Sequence, residues 1–88
     1  MKIIWTHRSE KDLEGLEKHI AERIIKKVED AAEFPEHYLS PLKGYYLYKI
    51  RAGDYRIVVS TDNDKMVVIT TDHRSNVYKS LDRFYESS

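Results

Sequence analysis

Lys49, Arg51 and Arg56 stand close together in the stretch Lys43 to Val59, KGYYLYKIRAGDYRIVV, which reads as two strands folded about Ala52-Gly53. With an even, two-residue loop there, the pairs run Arg51 opposite Asp54, Ile50 opposite Tyr55 and Lys49 opposite Arg56. Alternate residues of a strand share a face, so the three cations lie together. Like charges directly across a strand pair repel, so stability alone would not choose this arrangement. The face therefore suits an anionic ligand, held by charge-assisted hydrogen bonds. The bland alternative is a solvated strand face, in a chain of which 34% of residues are charged. A three-residue loop without a bulge would turn Arg56 to the other side and dissolve the cluster.

Composition narrows what such a face can serve. At 88 residues the chain reads as one domain, and a chain of this size buries only roughly 60–65% of the surface its unfolded form exposes. A modest core and no large enclosed pocket are expected. No run approaches the roughly 18 apolar residues of a membrane span, and the N-terminus lacks a basic region followed by an apolar run. A soluble, unsecreted protein is the expectation, and the absence of cysteine suits a reducing cytoplasm. It also excludes thiolate metal sites and a cysteine nucleophile. Fifteen basic residues balance fifteen acidic ones, which argues against nonspecific coating of nucleic acid. The balance is uneven, with seven basic and nine acidic side chains in residues 1–40 against eight and six in residues 41–88. An anion site belongs in the second half. His7, His19 and His37 lack metal-ligand spacing.

Around the hairpin the chain supplies elements that can hold it. Lys2 to His7 is rich in β-branched and aromatic residues and reads as a strand. Ser9 offers a helix N-cap, with Asp12 three positions on as its partner acid. Leu13, Leu16, Ile20, Ile24, Val28 and Ala31 then recur at steps of three and four, one apolar helical stripe. Gly15 hints at a break near Gly15 to Lys18, although the stripe also suits a single helix. Pro35 ends the helix, because the residue before a proline is pushed out of helical geometry. Phe34 to Lys43 reads as a connector. In the hairpin Tyr46, Tyr48, Ile50, Tyr55, Ile57 and Val59 form the apolar face that the helical stripe can cover. Thr61 to Lys65 is a turn and Met66 to Thr71 a further strand. The tail from Val77 to Tyr85 sets Val77, Leu81 and Phe84 on one helical face. Strand, helix, then strands and a tail helix predict an α+β domain with helices packed on one side of a mostly antiparallel sheet.

Leu42-Lys43-Gly44, then Tyr48-Lys49-Ile50-Arg51-Ala52-Gly53-Asp54-Tyr55-Arg56-Ile57-Val58, then His73-Arg74-Ser75-Asn76-Val77-Tyr78, in that order, resemble the signature of the RelE/ParE superfamily of toxin–antitoxin toxins. That superfamily includes ribosome-dependent messenger RNA endonucleases, RelE-like, and DNA gyrase inhibitors, ParE-like, on one scaffold. The resemblance implies a single domain over residues 1–88, a hairpin of two helices, and the order β-α-α-β-β-β with a short C-terminal helix. It places Lys49, Arg51, Arg56, Arg74 and Tyr78 at the positions that serve RNA cleavage in the RelE branch. His73 and Lys43 are secondary candidates.

Cleaving RNA without a metal or cofactor needs a base for the 2′-hydroxyl proton, positive charge on the phosphate, and a proton for the departing oxygen. Lys49, flanked by arginines, fits the first role, because neighbouring positive charge favours the neutral form of a lysine. Arg51 and Arg56 would hold the phosphate, Arg74 would stabilise charge or act as the acid, and Tyr78 would stack on a base. Taken alone, Arg74 is more often a surface ion pair, here with Asp72, and Tyr78 more often packs the tail helix on the sheet. The resemblance further implies a RelB-like antitoxin in a hetero-oligomer, with the ribosome and messenger RNA as the other partners and no membrane. A ParE-like gyrase inhibitor, or a degenerate member that only binds its antitoxin, are the alternatives.

Overall fold

Lys2–Trp5 forms the first strand, β1, in a computed structural model of the protein that describes residues 1–42 and 44–86. The strand stops at Thr6, two residues short of the predicted end, because Thr6 is a helix cap. Its Oγ1 accepts the Ser9 backbone N–H at 3.1 Å and donates to the Val68 carbonyl at 2.7 Å. A hydroxyl that accepts an otherwise unpaired N–H of the first turn starts a helix. Helix α1 therefore runs over His7–Glu14, and Ser9, expected as the cap, is instead buried within its first turn. Asp12, expected to complete a capping box, reaches across to the sheet, where its Oδ2 accepts Thr70 Oγ1 at 2.8 Å and Thr71 N–H at 3.0 Å.

The apolar stripe is two helices. Gly15 caps α1 and α2 spans Lys18–Glu33, so the interruption falls where the glycine placed it. Phe34 breaks α2 at φ −128° and ψ 67° ahead of Pro35. The proline then opens a helical turn, α3 (Pro35–Tyr38), since the first helical position needs no N–H. A short strand, β2 (Ser40–Leu42), follows. The predicted connector thus contains two small elements. Strands β3 (Leu47–Ala52), β4 (Tyr55–Asp62) and β5 (Lys65–His73) and helix α4 (Val77–Glu86) complete the chain.

The five strands lie in the order β1-β5-β4-β3-β2, with β1 parallel to β5 and every other pair antiparallel. This is the predicted α+β architecture with one extra edge strand, β2. Ile24, Val28 and Ala31 of α2 bury against Ile50, Ile57, Val59, Met66 and Val68 on one face of the sheet. Tyr48 and Tyr55 join that core from its edge, as alternation required, but Tyr46 does not. It sits in the turn before β3 and is fully exposed. The opposite face carries a second, smaller core in which Leu42, Leu47 and Val58 meet Val77 and Leu81 of α4. Val77 and Leu81 are on the predicted face of the tail helix; the side chain of Phe84 lies outside the described residues. Helices consequently cover both faces and not one side as predicted, because the apolar Val77 and Leu81 of α4 bury against Leu47 and Val58, and the basic residues share that face with α4. No helix among the described residues is long and apolar enough to cross a membrane.

Candidate functional site at the hairpin tip

Strands β3 and β4 are joined by a two-residue turn, as the clustering of the cations required, but the turn is Gly53-Asp54 and not Ala52-Gly53. Gly53 takes φ +61°, a left-handed value at the first central position that suits a hairpin turn of type II′. Ala52, which disfavours such a conformation, instead pairs with Tyr55. The register consequently sets Arg51 opposite Arg56 and Lys49 opposite Val58, correcting the expected Lys49–Arg56 pair. Sliding a two-residue turn by one position moves the pairing by two. Side chains therefore keep their faces, and Lys49, Arg51 and Arg56 still lie together.

The repulsive pair is thus Arg51 with Arg56, and the next strand moderates it. Arg56 is also directly opposite Asp72 of β5, giving the row Arg51, Arg56, Asp72 across the sheet. Behind it runs the row Lys49, Val58, Thr70. Val58 is fully buried beneath Val77 and Leu81 of α4, so the helix roofs the position across from Lys49. The guanidinium of Arg56 folds back on the turn, where Nη1 donates to the carbonyls of Gly53 and Tyr55, each at 2.9 Å. That fixes the group beside the tip.

Arg74 arrives at the same tip from the end of β5. Its backbone N–H donates to the Asp54 carbonyl at 2.7 Å, and its Nε lies 4.0 Å from Asp54 Oδ1. Both side chains are open to water, 65% and 71% exposed, so the ion pair contributes little energy and its effect is geometric. Asp72, expected beside Arg74 as an ion-pair partner, accepts the His73 N–H at 2.7 Å. Tyr78 occupies the first turn of α4 and is 48% exposed. Its ring is therefore only half covered, unlike its neighbour Val77.

The register thus sets Lys49, Arg51 and Arg56 on one sheet face, Arg74 is bonded to the turn of their hairpin, and Tyr78 lies in the first turn of α4, whose Val77 and Leu81 pack on that face. Of the secondary candidates, His73 does not join them. His73 pairs with Tyr55, its ring edge-on at 5.7 Å, on the face covered by α2. Its Nδ1 faces Ser75 Oγ at 2.8 Å and accepts the Ser75 N–H at 3.2 Å. Lys43 lies outside the described residues. Among the described residues no group of three His, Asp or Glu side chains is placed to hold a metal ion.

Two residues at the tip escaped the sequence reading. Asp54 bonds Arg74 through its backbone and faces it with its carboxylate. Arg23 of α2 rests its guanidinium against Gly53, with Nη1 3.2 Å from where a Cβ on that glycine would stand. Asp54 had a local signal, as a turn residue after a glycine; Arg23 had none, being one of several cations on the polar side of its helix.

Comparison with known proteins gives a consistent picture. A family model described as the ParE toxin of type II toxin–antitoxin systems, parDE, matches residues 3–78. Toxin RelE3 of Methanocaldococcus jannaschii is 30% identical over 84 residues, spanning 89% of this chain and 96% of that protein. In the RelB–RelE antitoxin–toxin complex from Methanococcus jannaschii, one chain superposes with a TM-score of 0.70 at 27% identity, covering 88% of this chain and 96% of its own. The intact E. coli RelBE complex contains a chain matching at TM-score 0.68 and 26% identity, over 82% of this chain and 94% of that one. The sequence signature, the fold and these likenesses agree that the chain belongs to the RelE/ParE superfamily of toxins of type II toxin–antitoxin systems.

Proposed function

We propose that this toxin is a RelE-like, ribosome-dependent endoribonuclease that cuts translated messenger RNA. The observation that carries the reading is the assembly of Lys49, Arg51 and Arg56 on one sheet face, with Arg74 bonded to the same turn and Tyr78 half-exposed in the first turn of α4. In this reading Lys49 takes the proton of a 2′-hydroxyl, whose oxygen bonds to the adjacent phosphorus. The bond from phosphorus to the 5′-oxygen of the next nucleotide breaks. A 2′,3′-cyclic phosphate and a 5′-hydroxyl result, the latter receiving a proton from the Arg74 side of the site. Arg51 and Arg56 hold the phosphate oxygens as negative charge accumulates, which is where fixed cations lower a barrier. Tyr78 offers a ring face for a base. The reaction uses side chains alone.

The likeness to RelE of RelB–RelE complexes supports a RelB-like antitoxin as the partner. Such a partner would neutralise the toxin by covering the basic face, a usual task for an amphipathic segment of complementary charge. The test is induced expression followed by primer extension on a translated transcript. New 5′ ends within the reading frame are expected; arrested growth with intact messages would remove the nuclease reading. A second reading, binding and inhibition of gyrase, is favoured by one observation, the match to the ParE family model. A supercoiling assay with purified gyrase separates the two.

A further inference from the structure

Two guanidinium groups approach Gly53 from opposite faces of the sheet. Arg56 Nη1 donates to the Gly53 carbonyl at 2.9 Å from the α4 side. Arg23 comes from α2, its Nη1, Cζ and Nη2 lying 3.2, 3.4 and 3.6 Å from the position of a Cβ on Gly53. A Cβ there would press on the end of the Arg23 side chain. Among the described residues Arg23 makes no ion pair, and its side chain is exposed to solvent. It therefore keeps its full charge and all its donors for something outside the fold.

Arg23 also walls a cleft of about 230 Å³ with His19, Ile20, Ala52, Asp54 and Tyr55. His19 and Arg23 are four residues apart on α2 and so project from one side of it. The acid of this cleft, Asp54, has Arg74 at 4.0 Å, which offsets its charge. His19 has Glu17 at 3.4 Å. The cleft is thus lined by a guanidinium fork without an ion-pair partner among the described residues, a geometry that matches two oxygens of a phosphate.

We infer that Arg23 forms a second phosphate subsite, on the α2 side of the hairpin tip, which binds one of the two phosphates next to the scissile one. The RNA backbone then bends round Gly53-Asp54, with the cut phosphate on the Arg51–Arg56 face and its neighbour in the Arg23 cleft. Arg23 is a positioning residue: it touches the polymer but not the reacting atoms. Bending the strand over a two-residue tip also splays the nucleotides on either side of the cut. That helps to aim a 2′-oxygen in line with the departing 5′-oxygen. The inference rests on the proposed RNA cleavage.

The decisive measurement is a cycle in a purified translation system. Messages carry a charge-neutral methylphosphonate at one phosphate on either side of the cut, and are offered to wild-type toxin and to Arg23→Ala. A charge-assisted hydrogen bond is worth about a ten- to hundredfold change. Neutralising one particular neighbouring phosphate is expected to lower wild-type kcat/KM by that factor. Arg23→Ala should lose as much on the native message and nothing further on the neutralised one, while Arg23→Lys recovers part of the loss. Losses that multiply, or an Arg23→Ala defect identical at every modified position, would overturn the subsite and leave the cleavage reading intact. Failure of the wild type to cut any message would overturn both. A melting curve of Arg23→Ala that matches wild type keeps a loss from being one of folding.

Discussion

Arg51 and Arg56 are direct cross-strand partners, one pair removed from the turn Gly53-Asp54. Placing like charges opposite one another destabilises a hairpin by an amount of the order of about 0.2–1 kcal/mol, only partly offset by Asp72 across from Arg56. Replacing Arg51 by threonine, a good strand former, should therefore raise stability in urea by a few tenths to about 1 kcal/mol. The same change should lower cleavage of a translated message by at least about tenfold, the value of one charged phosphate contact. A variant that loses stability would show that Arg51 serves the fold and not a ligand.

Lys49 stands on β3 and Arg74 in the β5–α4 connection, and both should be needed for the toxic act if that act is cleavage. Removing a general base typically lowers a rate about a hundred- to ten-thousandfold. Lys49→Ala and Arg74→Ala are each expected to restore growth on induction and to abolish new message ends. The Asp54–Arg74 contact predicts a milder effect for Asp54→Asn, because the backbone bond between the two residues survives the change. Growth arrest that persists in Lys49→Ala, with gyrase supercoiling inhibited, would favour the second reading.

What was legible in the chain and what was not follows from the range of the forces involved. The shared face of Lys49, Arg51 and Arg56 was legible because alternation is local and because a slipped two-residue turn preserves it. The exact pairing was not, since it depends on whether Gly53 takes the first or the second place in the turn. Gly15 marked the break between α1 and α2 correctly. The cap was misplaced because Thr6 and Ser9 are both capping residues; the choice was made by the Val68 carbonyl, 62 residues away in sequence. Strand β2 was hidden by Pro41, which a strand tolerates only where its missing N–H is not required, as at an edge. Arg23 and Gly53 meet only when α2 lies across the hairpin, and no local pattern announces such a meeting.

Asp12 joins α1 to β5 through one oxygen that accepts both Thr70 Oγ1 and Thr71 N–H. Thr70 and Thr71 are buried, and Thr71 Oγ1 has no hydrogen-bond partner. Asp12→Ala would strand two more buried donors, at a cost of about 1–3 kcal/mol. For a domain of this size that lowers the melting temperature by roughly 4–8 °C per kcal/mol. Cleavage per folded molecule should be unchanged below the transition, because Asp12 bonds Thr70 and Thr71 and none of the cations. A drop in specific activity at full folding would instead tie α1 to the site.

Gly53 is the position where fold and proposed chemistry meet. Its φ of +61° costs an L-residue with a Cβ about 1–2 kcal/mol. A Cβ there also stands 3.2 Å from Arg23 Nη1, close enough to push aside the end of a flexible side chain at small cost. Gly53→Ala should therefore lose about 1–2 kcal/mol in urea unfolding, mainly through the backbone. Activity should fall beyond what the folded fraction explains, because Arg23 is displaced and the carbonyl that holds Arg56 is reoriented. Comparing Gly53→Ala with the double variant Gly53→Ala/Arg23→Ala separates these effects. If displacement of Arg23 matters, adding the second change to the first should cost less activity than Arg23→Ala alone. Equal losses in the two backgrounds would mean that Gly53 serves the turn and nothing more.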